Sequence, residues 1–124
     1  MTDAEAIRAY LAAARYRKII LKSRIPRFIE RDPVALEKVT ERWRVEIKTA
    51  ELVMQQAERA VEKLPRQTWR EAVRLRFLEG MDVFSAGEAM FYSEKSIRRF
   101  EWAAFAFLET GKEPDPDAEL PEGP

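Results

Sequence analysis

Two long stretches in the first half of the chain have helical hydrophobic spacing. Apolar side chains recur every three or four residues over 3–22 and again over 33–64, a spacing typical of amphipathic α-helices. Proline disfavours helix in the residue before it, so Ile25-Pro26 interrupts the pattern. Asp32-Pro33 is typical of a helix N-cap followed by the first helical residue. The pattern predicts two helices joined by a connector.

The second of these helices carries a regular apolar seam. Its members alternate in steps of four and three residues, the spacing of a coiled coil, and they are Trp43, Ile47, Ala50, Met54, Ala57 and Val61. Such a seam has to be covered. Either the first helix folds back on it as an antiparallel hairpin, or the same helix of a second copy packs on it. We expect a homo-oligomer, with a dimer favoured, that forms through these helices.

Three shorter helices are predicted over residues 68–109. Thr68-Trp69-Arg70-Glu71 has the form of a capping box, and Gly80 suits the end of the helix that this box would begin. Asp82 is a candidate N-cap for a helix over about 83–90. Phe91-Tyr92 then forms a turn, and Ser93 is a candidate N-cap for the last helix.

These elements predict an all-α chain. A helical hairpin or coiled coil occupies residues 1–64, and a three-helix module occupies residues 65–110. Residues 111–124 are acidic and rich in proline, a composition that does not support a packed core. We therefore predict a disordered acidic tail there.

The composition excludes several function classes. The chain contains no Cys and no His, which excludes thiol nucleophiles, Ser-His pairs and the common zinc sites. It also lacks a Gly-rich phosphate loop. We therefore expect no enzymatic activity, no cofactor and no metal. The apolar runs are far shorter than the roughly 20 residues of a membrane span, so we expect a cytoplasmic protein that does not bind membranes.

A net charge of zero conceals a strong asymmetry. Residues 1–31 hold eight Lys/Arg against three Asp/Glu, whereas residues 109–124 hold one against six. The densest basic run comprises Arg15, Arg17, Lys18, Lys22, Arg24, Arg27 and Arg31. This run is either a surface for DNA phosphates or a set of ion-pair partners for Glu37, Glu41, Glu46 and Glu51 on the neighbouring helix. The ion pairs are favoured, because hairpin helices often carry such exposed pairs.

The last predicted helix has a basic face and an apolar face. At 100° per residue, Lys95, Arg98, Arg99 and Trp102 lie on one side. Ile97, Phe100, Ala104 and Leu108 lie on the other. The apolar side is suited to pack on the two preceding helices, which leaves the N-terminal half of the basic side for a DNA major groove. The apolar Trp102, Phe105 and Phe107 indicate that the far end of this helix is covered by the long helix or by a second copy. An ordinary solvated helix face would give the same spacing.

A family resemblance rests on two segments of this module. Leu75-Arg76-Phe77-Leu78-Glu79-Gly80 ends its first helix, and Ile97-Arg98-Arg99-Phe100 lies in its last. Together with the helix between them, they resemble the helix-turn-helix of sigma-70 region four, over roughly residues 64–108. The whole layout is similar to phage and prophage late-gene transcriptional regulators of the ArpU and RinA kind.

The resemblance implies roles for individual residues. Glu94, Lys95, Arg98 and Arg99 would face base edges, and Ser93, Ser96 and Arg76 would lie near phosphates. Arg70 and Arg74 precede or line the first helix of the module and are further candidates for backbone contacts. The chain departs from the family at Ala86-Gly87, where Ile-Ala is usual, and at Phe91, where Gly is common. A Phe at a position that needs positive φ is strained.

We therefore predict a sequence-specific transcriptional regulator, phage- or prophage-derived, that binds double-stranded DNA and has RNA polymerase as a further candidate partner. Two alternatives remain open. One is a DNA-packaging adaptor such as a small terminase subunit, and the other is a helical protein-interaction module that does not bind DNA.

Overall fold

A computed structural model describes residues 1–114, and every regular element in them is helical, which confirms the all-α fold class. The elements are α1 (Asp3–Lys22), α2 (Arg27–Glu30), α3 (Pro33–Glu62), α4 (Gln67–Val73), α5 (Val83–Met90) and α6 (Glu94–Thr110). A π-helical turn, Arg74–Leu78, extends α4. None of the helices in these 114 residues has the length and apolar character needed to cross a membrane.

Four helices begin at a side-chain N-cap, and the sequence predicts three of these caps, at Asp32, Asp82 and Ser93. The Thr2 hydroxyl accepts a hydrogen bond from the Glu5 amide at 3.1 Å, and Asp32 accepts from the Val34 amide at 3.1 Å. Asp82 accepts from the Ser85 amide at 2.7 Å, and Ser93 accepts from the Ser96 amide at 3.2 Å. Each bond satisfies an amide that has no partner within its own helix.

The predicted capping box at Thr68 is wrong. Helix α4 already begins at Gln67, and Arg66 occupies the N-cap without a side-chain hydrogen bond. The tight connection from α3 accounts for the earlier start, because Arg70 Nη1 donates to the Leu64 carbonyl at 2.6 Å and so closes the connection.

The predicted connector over 23–32 also differs from a simple loop, since it contains the four-residue helix α2. The amides of Ile29 and Glu30 donate to the Pro26 carbonyl at 3.0 and 3.1 Å. A helix of one turn is too short to show a hydrophobic period, so the sequence pattern did not reveal it.

Helices α1 and α3 form an antiparallel hairpin. The partners run in opposite directions along the chain: Asp3 with Lys63, Tyr10 with Glu58 and Arg17 with Glu51. The seam residues Ala50, Ala57 and Val61 are buried, and the seam residues Trp43, Ile47 and Met54 are half-buried. The seam is therefore covered by α1 of the same chain, which is the first of the two arrangements that the spacing allowed.

The hairpin and the C-terminal module share a hydrophobic core. Its buried members come from α1, α3, α4, α6 and the α3–α4 connection, and they include Ile7, Ala57, Val61, Leu64, Trp69, Val73 and Ala104. A second cluster of Ala72, Leu75, Ala86 and Ile97 joins the α4 segment to α5 and α6. The shared core therefore fixes the module against one end of the hairpin.

The predicted acidic tail lies mostly outside the described residues. Gly111 ends α6 with a left-handed φ of 73°. Two residues later, Glu113 Oε1 lies 3.3 Å from Arg66 Nε.

Candidate nucleic-acid interface

Helices α5 and α6 form a close pair, joined by a three-residue turn. Gly87 is buried at their closest approach, and a Cβ added there would lie 2.7 Å from the Tyr92 carbonyl oxygen. The Tyr92 amide donates to the Gly87 carbonyl at 2.9 Å. The Gly that departs from the family pattern at this position thus allows the turn to pack against α5.

Phe91 adopts the left-handed conformation in this turn, with φ 60° and ψ 40°. Its side chain is 94% exposed, so burial does not offset the cost of that backbone geometry. The next residue is tied down instead, because the Tyr92 ring packs edge-on against Phe100 with centroids 5.0 Å apart. The positive φ considered for Phe91 in the sequence is therefore present.

The N-terminal half of α6 has one buried side and one free basic side. Ile97 is fully buried against α4 and α5. Lys95, Arg98 and Arg99 are exposed, and no ion pair within residues 1–114 uses them. Glu94 is exposed at the start of the same helix. The four residues expected at base edges thus lie at the free end of α6.

Trp102 shares the helical angle of the basic residues but does not belong to the free side, as expected from the apolar residues at the far end of this helix. It is half-buried and packs against the main core. Helix α6 is surrounded from this point onward: Phe105 contacts Phe77 with ring centroids 5.1 Å apart, and the Arg8 guanidinium carbon lies 4.1 Å from the Phe105 centroid. The accessible basic surface is therefore confined to residues 94–99.

Two of the arginines predicted near DNA phosphates have partners within the protein. Arg76 donates to Glu101 Oε1 and to the Met81 carbonyl, and its side chain is only 28% exposed. Arg70 donates to the Leu64 carbonyl. Both guanidinium groups position helices, so we leave them out of the proposed interface.

The other three predicted phosphate contacts are arranged differently. Arg74 is exposed. The Ser93 hydroxyl caps α6 and donates to the Ser96 hydroxyl at 3.0 Å, so the two serines form a pair at the start of α6. The serines and Arg74 stay candidate phosphate contacts.

The basic run over residues 15–31 is largely unpaired. Only Arg17 has the predicted acidic partner, with its Nε 3.2 Å from Glu51 Oε1. Glu41 and Glu46 pair with Arg44 and Arg42 on α3 itself. The expectation that the run pairs with the long helix therefore holds for Arg17 alone among the residues described.

No protein-family model, curated protein or solved structure matches the chain. The resemblance to sigma-70 region four therefore stays a resemblance, carried by the residues quoted for it.

Proposed function

We propose that the protein is a sequence-specific DNA-binding regulator that reads the major groove with the N-terminal half of α6. The observation that carries this proposal is the exposed trio of Lys95, Arg98 and Arg99, which has no ion-pair partner in residues 1–114. The opposite side of the same helix is anchored by Ile97, which is fully buried.

The dimensions of α6 suit this role. A helix with its side chains is about 10–12 Å wide, and the major groove is about 12 Å wide and about 8.5 Å deep. The free section over residues 94–99 is about 9 Å long at ~1.5 Å per residue. In helix-turn-helix proteins, the first residues of the second helix contact base edges while the first helix crosses the backbone. In this proposal α5 corresponds to that first helix.

The side chains supply matching chemistry. Arg98 and Arg99 each carry a planar guanidinium that can donate two hydrogen bonds to guanine O6 and N7. Lys95 can donate to guanine or to a phosphate, and the Glu94 carboxylate can accept from the cytosine amino group. Contacts to phosphates would supply affinity and these contacts would supply selectivity.

Selection from a pool of random duplexes tests this proposal. We expect the protein to enrich one motif. Arg98→Ala should then weaken binding to the enriched duplex by about 1–3 kcal/mol and weaken binding to random duplex less. Lys48→Ala, an exposed cation on the outer side of α3, is the control and should leave both affinities unchanged.

Equal losses for Arg98→Ala on enriched and random duplexes would contradict base reading by α6. Failure of the unaltered protein to enrich any motif would contradict sequence-specific binding.

A further inference from the structure

The proposed DNA-reading module is almost neutral, whereas the hairpin is not. Residues 65–108 carry seven Lys/Arg and six Asp/Glu, and residues 15–31 carry seven Lys/Arg and one Asp/Glu. Affinity for duplex DNA depends largely on the number of phosphates that cations neutralise. The cations that could supply this affinity are concentrated outside the helix-turn-helix.

One face of α1 connects the module to this basic surface. Residues 4, 8, 11, 15, 18 and 22 are spaced four and three apart, so they share one face of the helix. The first part of that face packs on the module. Arg8 lies over the Phe105 ring, and Leu11 Cδ1 is 3.3 Å from where a Cβ on Gly80 would stand.

The same face continues beyond the module as Arg15, Lys18 and Lys22, which we call the basic ridge. All three are exposed, and none has an ion-pair partner within residues 1–114. Arg17, the paired member of the run, points to Glu51 on α3 and is not part of the ridge.

We propose that the basic ridge binds the phosphate backbone of the duplex that α6 reads. This inference rests on the proposed function. Gly80 precedes α5 by three residues, and the helix in this position crosses the DNA backbone in helix-turn-helix proteins. The ridge therefore begins beside the element that meets the backbone and leads away from it along α1.

The length of the ridge fits several phosphates. Arg15 and Lys22, the two ends of the ridge, are about 10 Å apart along α1 at ~1.5 Å per residue, and the phosphates of one strand follow each other at roughly 3.4 Å along the duplex axis. The ridge thus spans about three phosphates at ~3.4 Å each, one for each of its cations. Because phosphates are the same at every base pair, these contacts raise affinity for all sequences alike.

The test compares a ridge variant with a control of equal charge change. The ridge variant is Arg15→Ala, Lys18→Ala, Lys22→Ala, and the control is Lys38→Ala, Lys48→Ala, Arg59→Ala on exposed positions of α3. Binding of the enriched duplex and of a random duplex is measured by fluorescence anisotropy between 50 and 200 mM salt. Thermal unfolding of each variant confirms that it is folded.

We expect the ridge variant to lose affinity by the same factor on both duplexes. Its slope of log K against log salt should shrink by up to about 2.7, at ~0.9 per phosphate contact. Hydroxyl-radical footprinting should show lost protection of about three nucleotides on one side of the enriched site, in line with ~3.4 Å per phosphate. The control should keep the slope and the footprint of the unaltered protein.

A ridge variant with the slope of the control would overturn the inference while the α6 proposal stands. A selective loss on the enriched duplex would also overturn it, because phosphate contacts do not discriminate sequences. Unchanged DNA binding together with lost binding to vesicles of anionic phospholipid would assign the ridge to lipid headgroups instead. Absence of any salt-dependent DNA binding by the unaltered protein would overturn the proposed function and this inference together.

Discussion

Phe91 is the residue with the least favourable backbone conformation in the described part of the chain. It is the only non-glycine residue with positive φ in residues 1–114, and its side chain is almost fully exposed. Left-handed geometry costs an L-residue roughly 1–2 kcal/mol, and glycine avoids this cost. Glycine also loses more conformational entropy on folding, so its net gain in stability is smaller than that cost. Phe91→Gly should therefore raise the free energy of unfolding by about 0.5–1 kcal/mol, measured by urea denaturation.

Ala89→Gly is the matched control for Phe91. Ala89 is exposed in the helical part of α5, where glycine costs about 1 kcal/mol relative to alanine. The two glycine variants should shift stability in opposite directions. A loss of stability in both would mean that Phe91 contributes contacts that its exposure does not indicate.

Arg76 and Arg74 lie in the same π-helical turn but in different environments. Arg76 has hydrogen-bond partners within the protein, whereas Arg74 is exposed. Arg76→Ala would leave Glu101, whose side chain is 14% exposed, and the Met81 carbonyl without their donor. We expect the free energy of unfolding to fall by about 1–3 kcal/mol. Arg74→Ala, at an exposed position, should change it by less than about 0.5 kcal/mol. Chemical denaturation measures both, and equal effects would contradict the structural role of Arg76.

At the scale of elements, the α5–α6 turn depends on the missing side chain at Gly87. Alanine would normally stabilise a helix by about 1 kcal/mol relative to glycine. Here its Cβ would stand 2.7 Å from the Tyr92 carbonyl oxygen, which is backbone and cannot rotate away. Gly87→Ala should therefore lower the melting temperature and move α6 relative to α5. Glu88→Ala, the exposed neighbour, should not, and a stabilising Gly87→Ala would contradict the close approach.

The sequence predicted those elements whose signals are local. Asp32-Pro33, Asp82 and Ser93 mark helix starts because a cap acts within three residues, and these starts are confirmed. The predicted start of α4 was wrong. The contact at this start joins Arg70 in α4 to the Leu64 carbonyl in the preceding connection, and such a contact is not part of a capping motif. The apolar Trp102 indicated that the far end of α6 is covered, which is confirmed, but the sequence did not show that α1 and α4 pack on this helix.

At the scale of the whole molecule, the charge on Asp3 links the start of α1 to the end of α3 at the open end of the hairpin. A hydrogen bond from Lys63, then one from Gln56, lowers the pKa of Asp3 below its usual value. A carboxyl with a lowered folded pKa adds stability above its unfolded value of about 3.9, and this contribution is lost as the pH falls below that value. The free energy of unfolding should therefore fall between pH 5 and pH 3, and it should fall less in Asp3→Asn.

Lys63→Met removes the hydrogen-bond donor to Asp3 and should reduce the pH dependence of the free energy of unfolding over the same pH interval. A hydrogen bond from the Ser85 amide lowers the pKa of Asp82 as well. Asp82 therefore adds the same pH dependence to the unaltered protein, to Asp3→Asn and to Lys63→Met. Denaturant titrations at several pH values measure the difference. An Asp3→Asn variant with the full pH dependence of the unaltered chain would contradict the link.

Contacts between residues far apart in the chain could not be predicted from the sequence pattern. A seam of four and three spacing looks the same in a hairpin and in a dimer, so the pattern left the two open, and dimerisation stays a prediction. The family resemblance implied a phosphate contact for Arg76. Its actual partner, Glu101, is 25 positions away in the sequence, so the local pattern did not reveal the pair. The basic ridge was visible as a run of charge, but its continuity with the module required the contact between Leu11 and Gly80.

The most direct test of the central claim is the salt-dependent affinity for duplex DNA of a variant in α6. The variant carries Lys95→Ala, Arg98→Ala and Arg99→Ala, and it is compared by fluorescence anisotropy with the unaltered protein and with Lys38→Ala, Lys48→Ala, Arg59→Ala. We predict that the unaltered protein and the control prefer the selected duplex over a random one and that the α6 variant loses this preference. A preference that survives in the α6 variant would contradict base reading by this helix.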